Sequence, residues 1–196
     1  MGELILPEFQ RGYVWKPDQV KRYLLSLYRK YPTGHFLIWK TYNPLHGGRI
    51  APSENSFSRL ILDGQQRLTS VFTLFEGNPP AFYEGETLYF DLYFHLIEED
   101  FQFYQKGKMA GDPLWIAATP FFGKGINKFL DELGQLPEDR QILYTKHLSK
   151  FNQLDAIRNY PYNLDEVTDK PVKEIVEIFD WVNTSGTEGA QMPIRS

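Results

Sequence analysis

The sequence predicts a mixed α+β fold, and three observations carry that expectation. The run Leu60-Ile61-Leu62 is broken by Asp63-Gly64, and Leu68, Val71, Phe72 and Phe75 follow at helical spacing, which reads as strand, tight turn and helix. Leu88, Phe90, Leu92, Phe94 and Leu96 alternate with Tyr89, Asp91, Tyr93 and His95, the pattern of a strand with one apolar face. From Gly123 onward the apolar period becomes helical, with Ile126, Phe129, Leu130 and Leu133 on one stripe. We therefore expect a single domain over residues 1–196, with an α+β core over 1–96 and a mainly helical portion over 97–196 that packs back on it.

Taken in order, Leu4-Ile5-Leu6-Pro7 reads as a short opening strand. Pro17 and Asp18 begin a helix, since proline is tolerated in the first turn and the helix dipole favours an acid there. Val20, Leu24, Leu27, Tyr28 and Tyr31 form its apolar face, and Pro32 stops it. Lys21, Arg22, Arg29 and Lys30 read as a solvated basic face. His35 to Trp39 is a core strand, and residues 43–58, rich in Pro, Gly, Ser and Asn, are a loop. The helix after Gly64 ends before Asn78-Pro79-Pro80. His95, on the polar side of its strand, reads as a bare surface histidine. Residues 98–112 read as a charged turn region, and Trp115-Ile116-Ala117 as a short strand ended by Pro120. Gly134 stops the helix after Gly123, and Pro137 opens a second that runs to about Arg158. Val172, Ile175, Val176, Phe179 and Val182 face the core from a third helix, which ends at Asn183-Thr184-Ser185-Gly186. Repeats, low-complexity tracts and an obvious linker are absent.

Composition narrows the function classes. A chain of 196 residues with 42% hydrophobic and 23% charged content can bury a sizeable core. The absence of cysteine removes disulfides, thiolate metal sites and cysteine nucleophiles. A net charge of −4 argues against a surface that coats DNA without selectivity, while leaving room for a local basic pocket. Aromatic content of 16% is high, and rings serve both as core and as stacking surfaces for bases. No apolar run reaches membrane-spanning length and no signal-peptide pattern opens the chain, so we expect a soluble cytoplasmic protein without a membrane partner.

Chemistry concentrates in Asp63-Gly64-Gln65-Gln66-Arg67. A helix that begins here presents free backbone N–H groups and the positive end of its dipole, a natural site for an anion. Arg67 adds a fork of donors suited to phosphate, and Asp63 can hold a hydrated Mg²⁺ or orient a water. The same residues also read as an Asx turn into a capped helix, with the glutamines satisfying loop carbonyls. Gln10 and Arg11 are framed by Phe9, Tyr13 and Trp15, so they can line a pocket for a base or nucleotide. Arg11 can equally stack on Trp15 as a structural cation–π pair.

Four blocks together resemble one family. Asp63-Gly64-Gln65-Gln66-Arg67 is similar to the DGQQR signature of the N-terminal domain of GmrSD-type restriction endonucleases. Gln10-Arg11-Gly12-Tyr13-Val14-Trp15 followed by Gln19 resembles that family's opening QR-x-Y-x-W segment. Tyr31-Pro32-Thr33-Gly34 before Phe36-Leu37-Ile38-Trp39 resembles its step into a strand, and Ile178-Phe179 with Asn183-Thr184-Ser185-Gly186-Thr187 its later IF-x-x-x-N-T-x-G segment. The blocks stand in the family's order over residues 9–187. Two departures weaken the last block: Glu188-Gly189-Ala190 stands where a hydrophobic residue is usual, and Asp180-Trp181 where a charged or arginine-bearing run is usual.

The resemblance implies a ParB/sulfiredoxin-like core and a module that binds and hydrolyses a nucleotide in a modified-DNA-dependent restriction or phage-defence system. It implies ATP, GTP or CTP with Mg²⁺ as cofactor. Phosphates would sit on Gly64, Arg67 and Arg11, with contacts from Asn183 and Thr184; Asp63 would hold the metal, and Gln65 or Gln66 would orient a water. Gln10, Arg11, Tyr13 and Trp15 would form a DNA or base pocket. DNA and a C-terminal or partner nuclease domain complete the expected partners, and the ending at Ser196 suits either a piece of a longer protein or a short stand-alone member. The alternatives are a module that senses a nucleotide or modified DNA without hydrolysis, and a ParB-like nuclease. Against the last, the chain has no clustered acidic pair with a histidine and no HNH-like motif.

Overall fold

A computed structural model of the chain describes residues 4–5, 12–41, 57–80, 91–168 and 170–185, with backbone alone for 4–5 and 183–185. The elements in chain order are β1 (Leu4–Ile5), α1 (Pro17–Tyr28), β2 (His35–Thr41), β3 (Ser58–Asp63) and α2 (Gln65–Glu76). Next come β4 (Leu92–His95), β5 (Asp100–Phe103), α3 (Lys106–Met109), β6 (Trp115–Ala117), α4 (Ala118–Lys124) and α5 (Ile126–Leu133). Last are α6 (Glu138–Lys146), α7 (Leu148–Asp155), a 3-10 turn over Ala156–Asn159, β7 (Asn163–Thr168) and α8 (Val172–Ser185). The fold is mixed α+β, as expected, and its contacts divide into two compact units that are each discontinuous along the chain.

The first unit takes residues 1–11, 34–65 and 162–196. Its sheet has the order β1-β3-β2-β7, with β2 antiparallel to β3 while β1 and β7 run parallel to their neighbours. Alternation along the strands sends Leu37 and Trp39 of β2, Leu60 and Leu62 of β3 and Val167 of β7 to one face, where Ile175, Ile178 and Phe179 of α8 cover them. Burying such a set in one layer is the main stabilising term for the unit, at about 1.5–3 kcal/mol for each fully buried large side chain. The indole Nε1 of Trp39 is buried there without a hydrogen-bond partner among the described residues. On β3 one residue is extra: Leu37 stands opposite Asp63 but Ile38 opposite Ile61, which makes a bulge at Leu62. Such a bulge bends a strand and re-aims its next side chain, here Asp63.

The second unit takes residues 12–33 and 66–161. Its antiparallel sheet has the order β5-β4-β6, and Phe94, Leu96 and Phe101 are fully buried in it. Rings carry much of the packing: Phe129 stacks on Phe151 at 4.4 Å between centroids, and Phe121 and Tyr144 meet Phe151 at 5.8 and 5.3 Å. Part of the high aromatic content is thus spent on core contacts among these helices. Glu99 closes the β4–β5 turn with φ +52°, a left-handed backbone unusual for glutamate. Its carboxylate accepts from the Tyr28 hydroxyl at 2.6 Å and from the Lys150 ammonium, tying the turn to α1 and α7.

Several sequence expectations need correction. Residues 98–112 hold β5 and α3 rather than a turn region, and Pro120 lies inside the first turn of α4 rather than ending a strand. The helix from Pro137 is broken at His147 into α6 and α7. β7 was not foreseen, because its residues are polar and mostly exposed and only pairing with β2 makes them a strand. His95 is buried at 8% exposure, packs its ring 4.6 Å from Trp115, and accepts the Glu98 N–H on Nδ1 at 3.0 Å. On α2 the buried face is Thr69, Ser70, Val71, Thr73 and Leu74, while Phe72 is exposed.

Candidate nucleotide site

The strand-to-helix turn forms where the sequence placed it. β3 ends at Asp63, α2 starts at Gln65, and Gly64 between them adopts φ +101°. Two constraints demand glycine there. Side chains avoid that backbone region, and a Cβ on Gly64 would lie 2.4 Å from the Phe36 ring, which is itself held edge-on by Tyr162 at 5.1 Å. The turn is therefore abrupt, and the first amides of α2 follow within one residue of the Asp63 carboxylate in the chain. Asp63, Gln65, Gln66 and Arg67 are all half-buried.

Gln66 and Arg67 have well-defined protein partners in the second unit. The Gln66 Oε1 accepts from the amides of Val14 at 2.8 Å and Trp15 at 3.2 Å, and its Nε2 donates to the Gly12 carbonyl at 3.1 Å. Arg67 Nη1 donates to the Thr33 carbonyl at 2.6 Å. Thr33 in turn donates from Oγ1 to the Tyr160 hydroxyl at 3.3 Å, which itself donates to the Tyr31 carbonyl at 2.6 Å. Three blocks that are distant in sequence (residues 12–15, 31–33 and 66–67) are thereby joined through side chain-to-backbone bonds. Sequence reasoning missed Thr33, Ser70 and Tyr160; a serine in the middle of an amphipathic helix was the one available signal for Ser70.

The other expected site residues divide clearly. Tyr13 bonds through its hydroxyl to Ser70 Oγ at 2.8 Å, and Trp15 packs edge-to-face on Tyr23 at 5.4 Å, so both rings have structural contacts. Gln10 and Arg11 lie outside the described residues. Asn183 and Thr184 lie in the last turn of α8, at the helix C-terminus the sequence predicts, and only their backbone is described.

Among the described residues no three His, Asp or Glu side chains come together as a metal cage. Mg²⁺ seldom needs one: a single carboxylate with waters and substrate phosphates is its usual setting, and Asp63 is the one carboxylate of the 63–67 turn. The second unit also has a groove of about 440 Å³ lined by Asp18, Lys21, Arg22, Leu25, Asp100 and Phe101. No residue of the 63–67 motif lines it, and its Lys21 is already paired with Asp18 at 3.0 Å and Gln102 at 3.3 Å. We give the groove no part in the chemistry. No helix among the described residues is long and apolar enough to cross a membrane.

Comparison with known proteins adds two findings. Residues 1–193 match the family model described as GmrSD restriction endonuclease, N-terminal domain. A protein of Methanocaldococcus jannaschii described as uncharacterized is 39% identical over an alignment of 82 residues, covering 36% of this chain and 14% of that protein's length.

Proposed function

The chain belongs to the GmrSD restriction endonuclease N-terminal domain family, and from that premise we propose that it is a nucleotide-binding, NTP-hydrolysing module of a restriction or phage-defence system. Its core would be ParB/sulfiredoxin-like, DNA its effector, and DNA cleavage the work of a C-terminal or partner nuclease domain.

One observation carries the reading: the left-handed Gly64 runs β3 directly into α2, so Asp63 and the first amides of a 12-residue helix flank a single turn. Phosphate oxygens bind those amides and the helix dipole. Arg67 neutralises phosphate charge from the same turn, and Asp63 holds Mg²⁺. The metal, when bound, supplies charge neutralisation for phosphoryl transfer. Gln65 orients the attacking water, because Gln66 already has three backbone partners. ATP, GTP and CTP are the candidate nucleotides, and Arg11 and Gln10 with Tyr13 and Trp15 the candidate contacts to nucleotide or DNA.

The deciding experiment is phosphate release from ATP, GTP and CTP in Mg²⁺, wild type beside Asp63→Ala, with and without DNA. Release that disappears in Asp63→Ala is the expected result. Unchanged release in the variant sinks the assignment. The engagement of Gln66 and Arg67 with backbone favours a second reading, a sensor that binds without hydrolysis. That reading predicts a nucleotide-dependent rise in Tm with no phosphate released.

A further inference from the structure

We infer that Gln66 is a positioning residue: its side chain clasps the segment Gly12–Trp15 to the first turns of α2. The inference rests on the nucleotide-site reading only for its consequence, that Gln65 and Gln66 have separate jobs.

Residues 12–16 belong to no helix or strand, and side chains meet several of their backbone groups. Gln66 meets three of them. A carboxamide offers one oxygen with two lone pairs and two N–H donors. The oxygen is filled by the consecutive amides of Val14 and Trp15, and one donor is used on the Gly12 carbonyl. Only one N–H remains, which leaves no lone pair to accept a hydrogen bond from an attacking water.

The contacts around the clasp support the same segment. Ser70 Oγ donates its one proton to the Gln66 backbone carbonyl at 2.8 Å, so the 2.8 Å contact with Tyr13 must be donated by the tyrosine. Trp15 rests against Tyr23, and the Lys16 amide donates to Gln19 Oε1 at 2.9 Å as α1 begins. The segment is thus fastened at each end and gripped in the middle. Gln66 therefore fixes where Tyr13 and Trp15 stand.

The test uses the full chain, first without ligand. Amide hydrogen exchange at Val14 and Trp15 is compared in wild type, Gln66→Leu, Gln66→Glu and Gln65→Leu. Gln66→Leu removes all three bonds at similar volume, and exchange at both amides is expected to quicken about tenfold. Gln66→Glu keeps an oxygen facing both amides and is expected to stay within about threefold of wild type. Gln65→Leu leaves exchange at these sites unchanged. Unaltered exchange in Gln66→Leu, or equal acceleration in the Leu and Glu variants, overturns the inference. Should Gln66→Leu fail to fold, Gln66→Glu decides alone, with protection kept supporting the clasp and protection lost overturning it.

Phosphate release supplies the readout that separates positioning from chemistry. A clasp predicts that Gln66→Glu retains at least roughly a third of wild-type turnover, whereas a water-orienting amide predicts that it is as silent as a leucine. A wild type that releases no phosphate removes the hydrolytic reading and leaves the exchange result standing.

Discussion

The side-chain oxygen of Gln66 lies 2.8 Å from the amide nitrogen of Val14, a residue 52 positions earlier in the chain. A polar side chain in the first turn of a helix thereby holds a stretch of backbone that belongs to no helix or strand. This contact gives the DGQQR stretch a structural task beside the chemical one proposed for it. The two tasks separate residue by residue, and the structure makes further predictions at the same level.

Gly64→Ala should lower stability by roughly 2–4 kcal/mol, from left-handed backbone and from crowding of the Phe36 ring. Urea unfolding measures it. Adding Phe36→Leu should recover part of the loss, since the two positions touch. A strictly additive double variant would show that the ring is not what restricts Gly64.

Arg67→Ala should cost the nucleotide-free protein about 1–2 kcal/mol, because the Thr33 carbonyl loses a charged donor at 2.6 Å. A thermal melt without nucleotide reads this apart from any ligand effect. An unchanged Tm would mean that Arg67 is held for ligand binding alone.

The Glu99 carboxyl is held below its ordinary range, first by its hydrogen bond from Lys150 and then by that from Tyr28. A depressed carboxylate pKa stabilises the fold fully above the unfolded value and loses that contribution as pH falls through the folded one. Tm should therefore drop with acidification from about pH 4.5 downward, and Glu99→Gln should flatten that limb. Because Gln keeps the left-handed turn, the comparison isolates charge from backbone strain. Melting curves of equal slope in both proteins would contradict the role given to Glu99. The Tyr28 hydroxyl moves the opposite way, pushed up by burial and by its bond to Glu99, so it remains a donor throughout this range.

Trp39→Phe should stay within about 1 kcal/mol of wild type, as the lost ring volume is offset by removing a buried indole N–H that has no partner among the described residues. Leu60→Ala in the same cluster should cost about 2–5 kcal/mol. Denaturant midpoints of the two variants provide the comparison, and a Trp39→Phe cost as large as that of Leu60→Ala would point to a partner for the indole.

The sequence by itself determined what depends on a few neighbouring residues. β3, the glycine turn and α2 were legible because an apolar run, a Gly and a helical period all lie within 16 positions, Leu60 to Phe75, and act locally. The start of α1 and the end of α5 were legible for the same reason. Only the tertiary structure decided the rest, since those features depend on partners far along the chain. Polar β7 becomes a strand because β2 offers it a parallel edge, and His95 is buried because Trp115 packs on its ring. The tasks of Gln66 and Arg67 likewise rest on backbone groups at residues 12–15 and 33, which no local pattern can reveal. Periodicity and turn chemistry are properties of short stretches, whereas a hydrogen bond between distant residues exists only once the chain has closed the loop between them.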